Sequence, residues 1–126
     1  MRSKHCFVLL NTFPYNNGHL MIVPNRHIAS LDLLSTDEMF DINQVLIVMV
    51  KILSKILHPH GFNIGMNLGR IAGAGIDKHI HMHIVPRWSG DTNFMPVIAN
   101  TKVVSQSLNE LQSQIKKHML RYAKKS

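Results

Sequence analysis

Three histidines at alternate positions, within the segment HIHMHIVPRW, are the residues of this sequence best suited to chemistry. In a β-strand, successive side chains point to opposite faces, so His79, His81 and His83 share one face while the apolar residues between them share the other. Neighbouring Cα atoms on one face lie about 6.6 Å apart, which lets imidazoles converge on one small group. The pattern therefore predicts a strand whose apolar face meets the core and whose histidine face binds or attacks a ligand.

Zinc is one candidate ligand, because three histidines with an open position form a known catalytic zinc site. Three ligands in line on one strand, however, point past a tetrahedral centre unless the strand twists sharply. The sequence also has neither a CxxC motif nor an acidic pair beside the histidines. We therefore expect no metal bound by the protein itself, and the remaining alternative is a chance cluster of surface histidines.

A glycine-rich loop directly before the histidines favours phosphate as the ligand. Gly69, Gly73 and Gly75 allow backbone N–H groups to turn toward an anion. The chain is also basic, with 14 lysines and arginines against 7 acidic residues, and such a balance attracts anions. A neutral imidazole can attack phosphorus through one ring nitrogen while the other donates to an orienting carbonyl.

The elements that position these residues follow an α+β pattern. Short apolar runs predict strands at 6–11, 19–24, 62–67, 78–86 and 93–98, the last a short edge strand because Pro96 lacks a ladder donor. Turn residues fill 12–18 between the first two strands. The order predicts a mainly antiparallel five-stranded sheet.

Two helices complete the predicted fold. Ser35 and Glu38 have the spacing of a capping box, and apolar residues then recur every three or four positions from Met39 to Ile56. This spacing predicts one long helix packed on a face of the sheet. The same spacing between Val104 and Tyr122 predicts a C-terminal helix.

Length and composition describe one domain, residues 1–126, since 45% hydrophobic content suffices for one core and leaves little for a second. Cys6 is the only cysteine, so we expect no disulfide and a cytoplasmic location. Polar residues interrupt the apolar region 39–57, so no membrane span is predicted. Five of the positive charges lie in the last eleven residues, as on a solvated helix end, and nucleic acid is not the expected partner.

The sequence resembles the histidine triad (HIT) superfamily of nucleotide hydrolases and transferases. HIHMHIV matches its signature of three histidines alternating with apolar residues, and LLNTFPYNNGHLMIVP resembles its earlier hairpin. The resemblance implies that His81 is the nucleophile that takes up a nucleoside monophosphate. It also implies that His83 and His19 hold phosphate oxygens and the leaving group, and that His79 positions His81, partly through its backbone carbonyl.

The resemblance also implies a set of substrate contacts around these histidines. Asn11 falls at the family's ribose-binding position, Asn67 falls where relatives reach the phosphates, and Trp88 is expected at the mouth of the site. Main-chain groups of the glycine loop are expected to hold the phosphates, and they belong to Gly73, Gly75, Ile76 and Asp77.

The continuation VPRWSGDTNFMPV resembles the diadenosine tetraphosphate phosphorylase and hydrolase branch more than the phosphoramidase branch. The resemblance implies cleavage of dinucleoside polyphosphates through a covalent nucleotidyl-histidine, and a homodimer formed through the long helix and an edge strand. No cofactor is expected, with Mg²⁺ only as a companion of the polyphosphate. The alternatives are a nucleoside phosphoramidase and a nucleotide-binding module without turnover.

Phosphate is favoured over water as the acceptor that resolves the intermediate, because basic residues surround the predicted site. Arg70, Lys78 and Arg87 are candidates for a second anion site, with Trp88 beside them. Asp77 and Asp91 oppose this prediction, since carboxylates repel an anion.

Overall fold

The chain folds into an antiparallel sheet with two helices, and the computed structural model describes residues 1–11, 17–72, 79–91 and 107–124. The strand order is β1-β2-β4-β3, and every neighbouring pair is antiparallel. The α+β class predicted from the sequence is confirmed. The elements are β1 (Cys6–Leu10), β2 (Leu20–Pro24), α1 (Thr36–Leu57), β3 (Gly61–Met66), β4 (Met82–Arg87) and α2 (Leu108–Ala123), with a short 3₁₀ turn at Leu31–Leu33.

The sheet differs from the prediction in two respects. Its described part has four strands rather than five, and the segment predicted as the fifth, 93–98, lies outside the described residues. The predicted strand 78–86 begins only at Met82 and extends to Arg87. The backbone before Met82 leaves the ladder because the N–H of Ile80 donates to the carbonyl of Ile28 at 2.8 Å, in the loop that follows β2.

Helix α1 begins with the predicted capping box. The Ser35 hydroxyl accepts from the Glu38 N–H at 3.1 Å, and the Glu38 carboxylate accepts from the Ser35 N–H at 2.8 Å, so two otherwise unpaired helix donors are satisfied. Met39, predicted in the apolar stripe, is 45% exposed, because the stripe that meets the sheet begins one turn later. That stripe comprises Ile42, Val45, Met49, Ile52 and Leu53.

The core lies between this stripe and one face of the sheet. Leu20, Ile22 and Ile84 form the centre of that face and are fully buried, which stabilises the fold by roughly 1.5–3 kcal/mol for each side chain. Helix α2 adds Leu111 and Ile115 to the same cluster. The predicted C-terminal helix is therefore part of the core.

The segment before β1 is fixed to α1 through a single carboxylate. The hydroxyl of Ser3 donates to Asp41 at 2.6 Å, and the N–H of His5 donates to its other oxygen at 2.8 Å. The Cys6 sulfur lies 3.5 Å from the same oxygen. Burial, together with the negative charge of Asp41, raises the pKa of the Cys6 thiol to about 12.

Gly18 brings the residue before β2 directly against the end of α1. Its φ of +83° lies in the left-handed region, and a Cβ at this position would lie 2.4 Å from Cδ1 of Leu57. The left-handed backbone conformation therefore favours glycine here, and the Cβ of any other residue would also have to displace the end of the Leu57 side chain. The next residue is His19.

Across the described ranges, no helix combines the length and the apolar content that a membrane crossing requires.

Candidate active site

His81 lies immediately before β4 and is oriented by the backbone of His79. Its Nδ1 lies 3.1 Å from the His79 carbonyl oxygen, and a carbonyl only accepts, so Nδ1 carries the proton. The neutral ring then has its lone pair on Nε2. This hydrogen bond therefore presents Nε2 as the nucleophilic atom.

A second chain of hydrogen bonds fixes the proton positions on His19 and His83. The Asn11 side-chain amide donates to Nδ1 of His19 at 3.0 Å, so the His19 proton lies on Nε2. That nitrogen lies 2.8 Å from Nδ1 of His83 and donates to it. The His83 proton therefore lies on Nε2, which is buried and has no hydrogen-bond partner among the described residues.

The unpartnered nitrogen is informative because buried polar atoms in native proteins almost always have a partner. His83 Nε2 is a donor in this arrangement, and the ring of His81 lies 4.7 Å away, centroid to centroid, at an interplanar angle of 68°. An acceptor bound next to His81 would satisfy it. A phosphate oxygen is such an acceptor.

The histidines beside His81 are kept neutral by their surroundings. Burial lowers the pKa of His19 to about 4, helped by repulsion from His83 and His81. Burial also lowers the pKa of His83, again with a contribution from His81. Near pH 7, His19 and His83 are therefore neutral, with one donor and one acceptor nitrogen each.

The alternating pattern predicts that His79 shares one open face with His81 and His83. In the structure it does not. Its Nε2 donates to the Pro24 carbonyl at 3.1 Å, and its ring packs against His27 in an edge-on contact with 4.8 Å between centroids. The reason is the departure of residues 79–81 from the strand. The sequence gives no local signal for the contact with His27, since the two residues are far apart along the chain.

The predicted substrate contacts fall into three groups. Asn11 is in the hydrogen-bond chain, and Asn67 is exposed directly after β3, whose last residue Met66 pairs with Met82 beside His81. Trp88 follows β4 at the end remote from His81, about 20 Å along the strand, and the structure does not bring it to the histidines. The contacts predicted for Gly73, Gly75, Ile76 and Asp77 lie outside the described residues, as does Lys78.

Arg87 does not form the predicted anion site. Its guanidinium donates to the Asp91 carboxylate at 2.6 and 2.8 Å and to the Asn63 side-chain oxygen at 2.7 Å. This pairing lowers the pKa of Asp91, raises that of Arg87, and offsets the positive charge of the arginine with an adjacent carboxylate. Arg87 also lies at the same remote end of β4 as Trp88.

The described part of the chain contains no cluster of side chains suited to bind a metal ion. Within residues 1–11, 17–72, 79–91 and 107–124, no three His, Cys, Asp or Glu side chains are placed to hold one ion. Imidazole protons on His81, His79 and His83 are instead directed at carbonyl groups or left unpartnered.

Sequence comparisons identify proteins that this chain resembles. Residues 1–90 match the family described as the HIT domain. The chain is 40% identical over 109 residues to the AP-4-A phosphorylase of Mycobacterium tuberculosis, which covers 86% of this chain but 56% of that protein. It is 34% identical over 114 residues to an uncharacterised HIT-like protein of Methanocaldococcus jannaschii, covering 90% and 84% of the two chains. This chain thus spans little more than half the length of its phosphorylase relative.

The same fold is present in solved structures. A hypothetical histidine triad nucleotide-binding protein of Sulfolobus tokodaii superposes with a TM-score of 0.75 at 22% identity, over 96% of this chain and 82% of that one.

Proposed function

This chain belongs to the histidine triad (HIT) family, and from that premise we propose that it cleaves dinucleoside polyphosphates such as diadenosine tetraphosphate by nucleotidyl transfer to His81. The observation that carries the proposal is the hydrogen bond from His81 Nδ1 to the His79 carbonyl, which leaves Nε2 with its lone pair. The chemistry needs no protein-bound metal. Mg²⁺ enters only as a companion of the polyphosphate.

The first step forms a phosphorus–nitrogen bond. Nε2 of His81 attacks the α-phosphorus, the bond to the bridging oxygen breaks, and its electron pair leaves with the nucleoside triphosphate. His83 would assist this step by donating its Nε2 proton to an oxygen that gains negative charge, and the support is that this nitrogen is buried without a partner among the described residues. His19 holds His83 in the required tautomer through the 2.8 Å hydrogen bond.

The second step transfers the nucleotide from His81 to an acceptor. We favour inorganic phosphate, and the support is the 40% identity to a protein named AP-4-A phosphorylase. Attack by a phosphate oxygen breaks the phosphorus–nitrogen bond and returns the electron pair to Nε2. Since Arg87 is paired with Asp91, other groups must bind the acceptor phosphate.

Product analysis tests the reaction and the acceptor together. With diadenosine tetraphosphate and millimolar phosphate, we expect ATP and ADP in equal amounts, whereas AMP replaces ADP when phosphate is omitted. The products are separated by anion-exchange chromatography. ATP and AMP in both conditions would show that water is the acceptor, and cleavage of an adenosine phosphoramidate but not of the tetraphosphate would favour a phosphoramidase. Binding without any product would favour a module without turnover.

We also propose that two chains form a homodimer through α1 and the edge strand β3. Phe40 and Ile47 lie two turns apart on α1 and are 66% and 47% exposed, and Ile64 on β3 is 45% exposed. Exposed apolar side chains are typical of an interface, and one edge of β3 has no neighbouring strand in the described sheet.

Sedimentation velocity at micromolar concentration should give a species of about 28 kDa, twice the 14.3 kDa of one chain. Replacing Phe40 with glutamate should shift the protein to the monomer. Glutamate at Ser113, exposed on α2, is the matched control and should leave the dimer intact. A stable monomer in the unmodified protein would contradict the proposal.

A further inference from the structure

The end of β2 and the loop that follows it make three contacts around the His79 peptide, two with the His79 side chain and one with the N–H of Ile80. The Pro24 carbonyl accepts from His79 Nε2 at 3.1 Å, and the Ile28 carbonyl accepts from the N–H of Ile80 at 2.8 Å. The third point is the edge-on contact between the His27 and His79 rings, at 4.8 Å and 70°. These contacts lie on both sides of the His79 carbonyl.

The direction of that carbonyl decides the state of His81. It accepts the Nδ1 proton of His81 at 3.1 Å, and a hydrogen bond weakens steeply when its angle or length departs from the preferred range. If the carbonyl turned away, the His81 proton would be free to move to Nε2, which would remove the nucleophilic lone pair. Whatever fixes the His79 peptide therefore fixes the reactive tautomer.

The loop is itself held firmly. Arg26 donates to both oxygens of Glu38 at 2.9 Å, and it donates to the Leu33 carbonyl at 2.7 Å. Glu38 also accepts from the N-cap of α1, and these bonds lower the pKa of its carboxyl to about 2. On the other side, the N–H of Asn25 donates to the His5 carbonyl at 2.8 Å. The loop thus joins β2 to the start of α1.

His27 is the exposed member of this arrangement. Its ring contacts the His79 ring from the solvent side. Because the His27 side chain is exposed, its replacement removes little buried area, and the variant should fold. We propose that His27 is a positioning residue, which holds the His79 peptide so that His81 keeps its proton on Nδ1. This inference rests on the proposed role of His81 as nucleophile. It adds a positioning residue that lies outside the histidine triplet.

Two variants at position 27 test the proposal. His27→Ala removes the edge contact, and we expect kcat to fall roughly tenfold with KM within twofold, because a small misplacement of a reacting group costs rate rather than binding. His27→Phe keeps an aromatic edge against His79 and should restore kcat to within about twofold of the unmodified protein. His118→Ala, on α2 and remote from the site, is the matched control and should leave kcat unchanged.

The tautomer of His81 is measured directly by ¹⁵N NMR of the histidine-labelled protein without nucleotide. We expect the Nδ1–H form in the unmodified protein and in His27→Phe, and a mixture with the Nε2–H form in His27→Ala. Because no substrate is present, this readout stands even if the proposed substrate is wrong. Unchanged His81 shifts in His27→Ala, or an equal loss of kcat in both position-27 variants, would overturn the proposal.

Discussion

Replacing His81 with glycine is expected to lower kcat for diadenosine tetraphosphate by roughly a thousandfold or more while leaving substrate affinity within a few-fold. In the proposed mechanism the nucleophile is needed only for the covalent step, and His83 remains to contact the phosphates. Turnover is followed by release of ATP, and affinity by equilibrium dialysis. The same variant should accumulate no nucleotide on the protein, whereas the unmodified protein should carry one when the reaction is stopped without acid.

The control for this experiment is alanine at His118, which removes a histidine without touching the site. It should retain full activity and full labelling. Retention of more than a few per cent of the activity by the glycine variant would rule out His81 as the nucleophile. Labelling that persists in that variant would assign the covalent bond to another residue.

Acidification from pH 7 toward pH 4 is expected to lower the free energy of unfolding through His19. Its pKa is about 4 in the folded chain but near 6.5 in an unfolded one. Below pH 6.5, His19 is protonated in the unfolded chain but stays neutral in the folded one. The free energy of unfolding present above pH 6.5 therefore decreases as the pH falls from 6.5 to the folded pKa. The difference of about 2.5 pH units corresponds to about 3 kcal/mol for this residue, which is only 8% exposed.

Urea unfolding at several pH values checks this prediction, with His19→Gln for comparison. The variant should be less stable than the unmodified protein at pH 7.5, because it loses the hydrogen bond between His19 and His83. Its stability should then fall less steeply with acid, since the titrating group is gone. His83 retains its own lowered pKa and keeps part of the slope in the variant. Parallel slopes in the two proteins would show that His19 does not control the acid response.

The sequence predicted the elements that depend on periodic or local signals. The capping box of Ser35 and Glu38 and the apolar spacing after it identified α1, because both signals act within a few residues. Short apolar runs predict β1, β2 and β3 to within one residue at each end for the same reason, whereas the predicted start of β4 at residue 78 is wrong. The pairing of Arg87 with Asp91 forms in the turn after β4, so the charge of Asp91 alone predicts repulsion of an anion and does not predict this ion pair.

Contacts between distant segments determined the parts that the sequence did not predict. An alternating pattern cannot show where a strand leaves its ladder, and here the N–H of Ile80 pairs with Ile28 instead of a strand neighbour. The histidines consequently divide, with His79 held by the loop after β2 and His83 held by His19. The histidine motif predicts which residues form the site. The tautomer of His83 follows from His19 in another segment, whereas that of His81 follows from the His79 carbonyl two residues before it.

The reactivity of the Cys6 thiol reports how often β1 separates from α1. Burial and the neighbouring Asp41 raise the pKa of this thiol to about 12, so almost none of it is ionised at pH 7, and only the ionised form is reactive toward an alkylating reagent. In an opened molecule the thiol returns to an ordinary pKa near 8.5 and reacts readily. Because the chain has a single cysteine, the alkylation rate at high reagent concentration measures how often β1 separates from α1, without a label or a second probe.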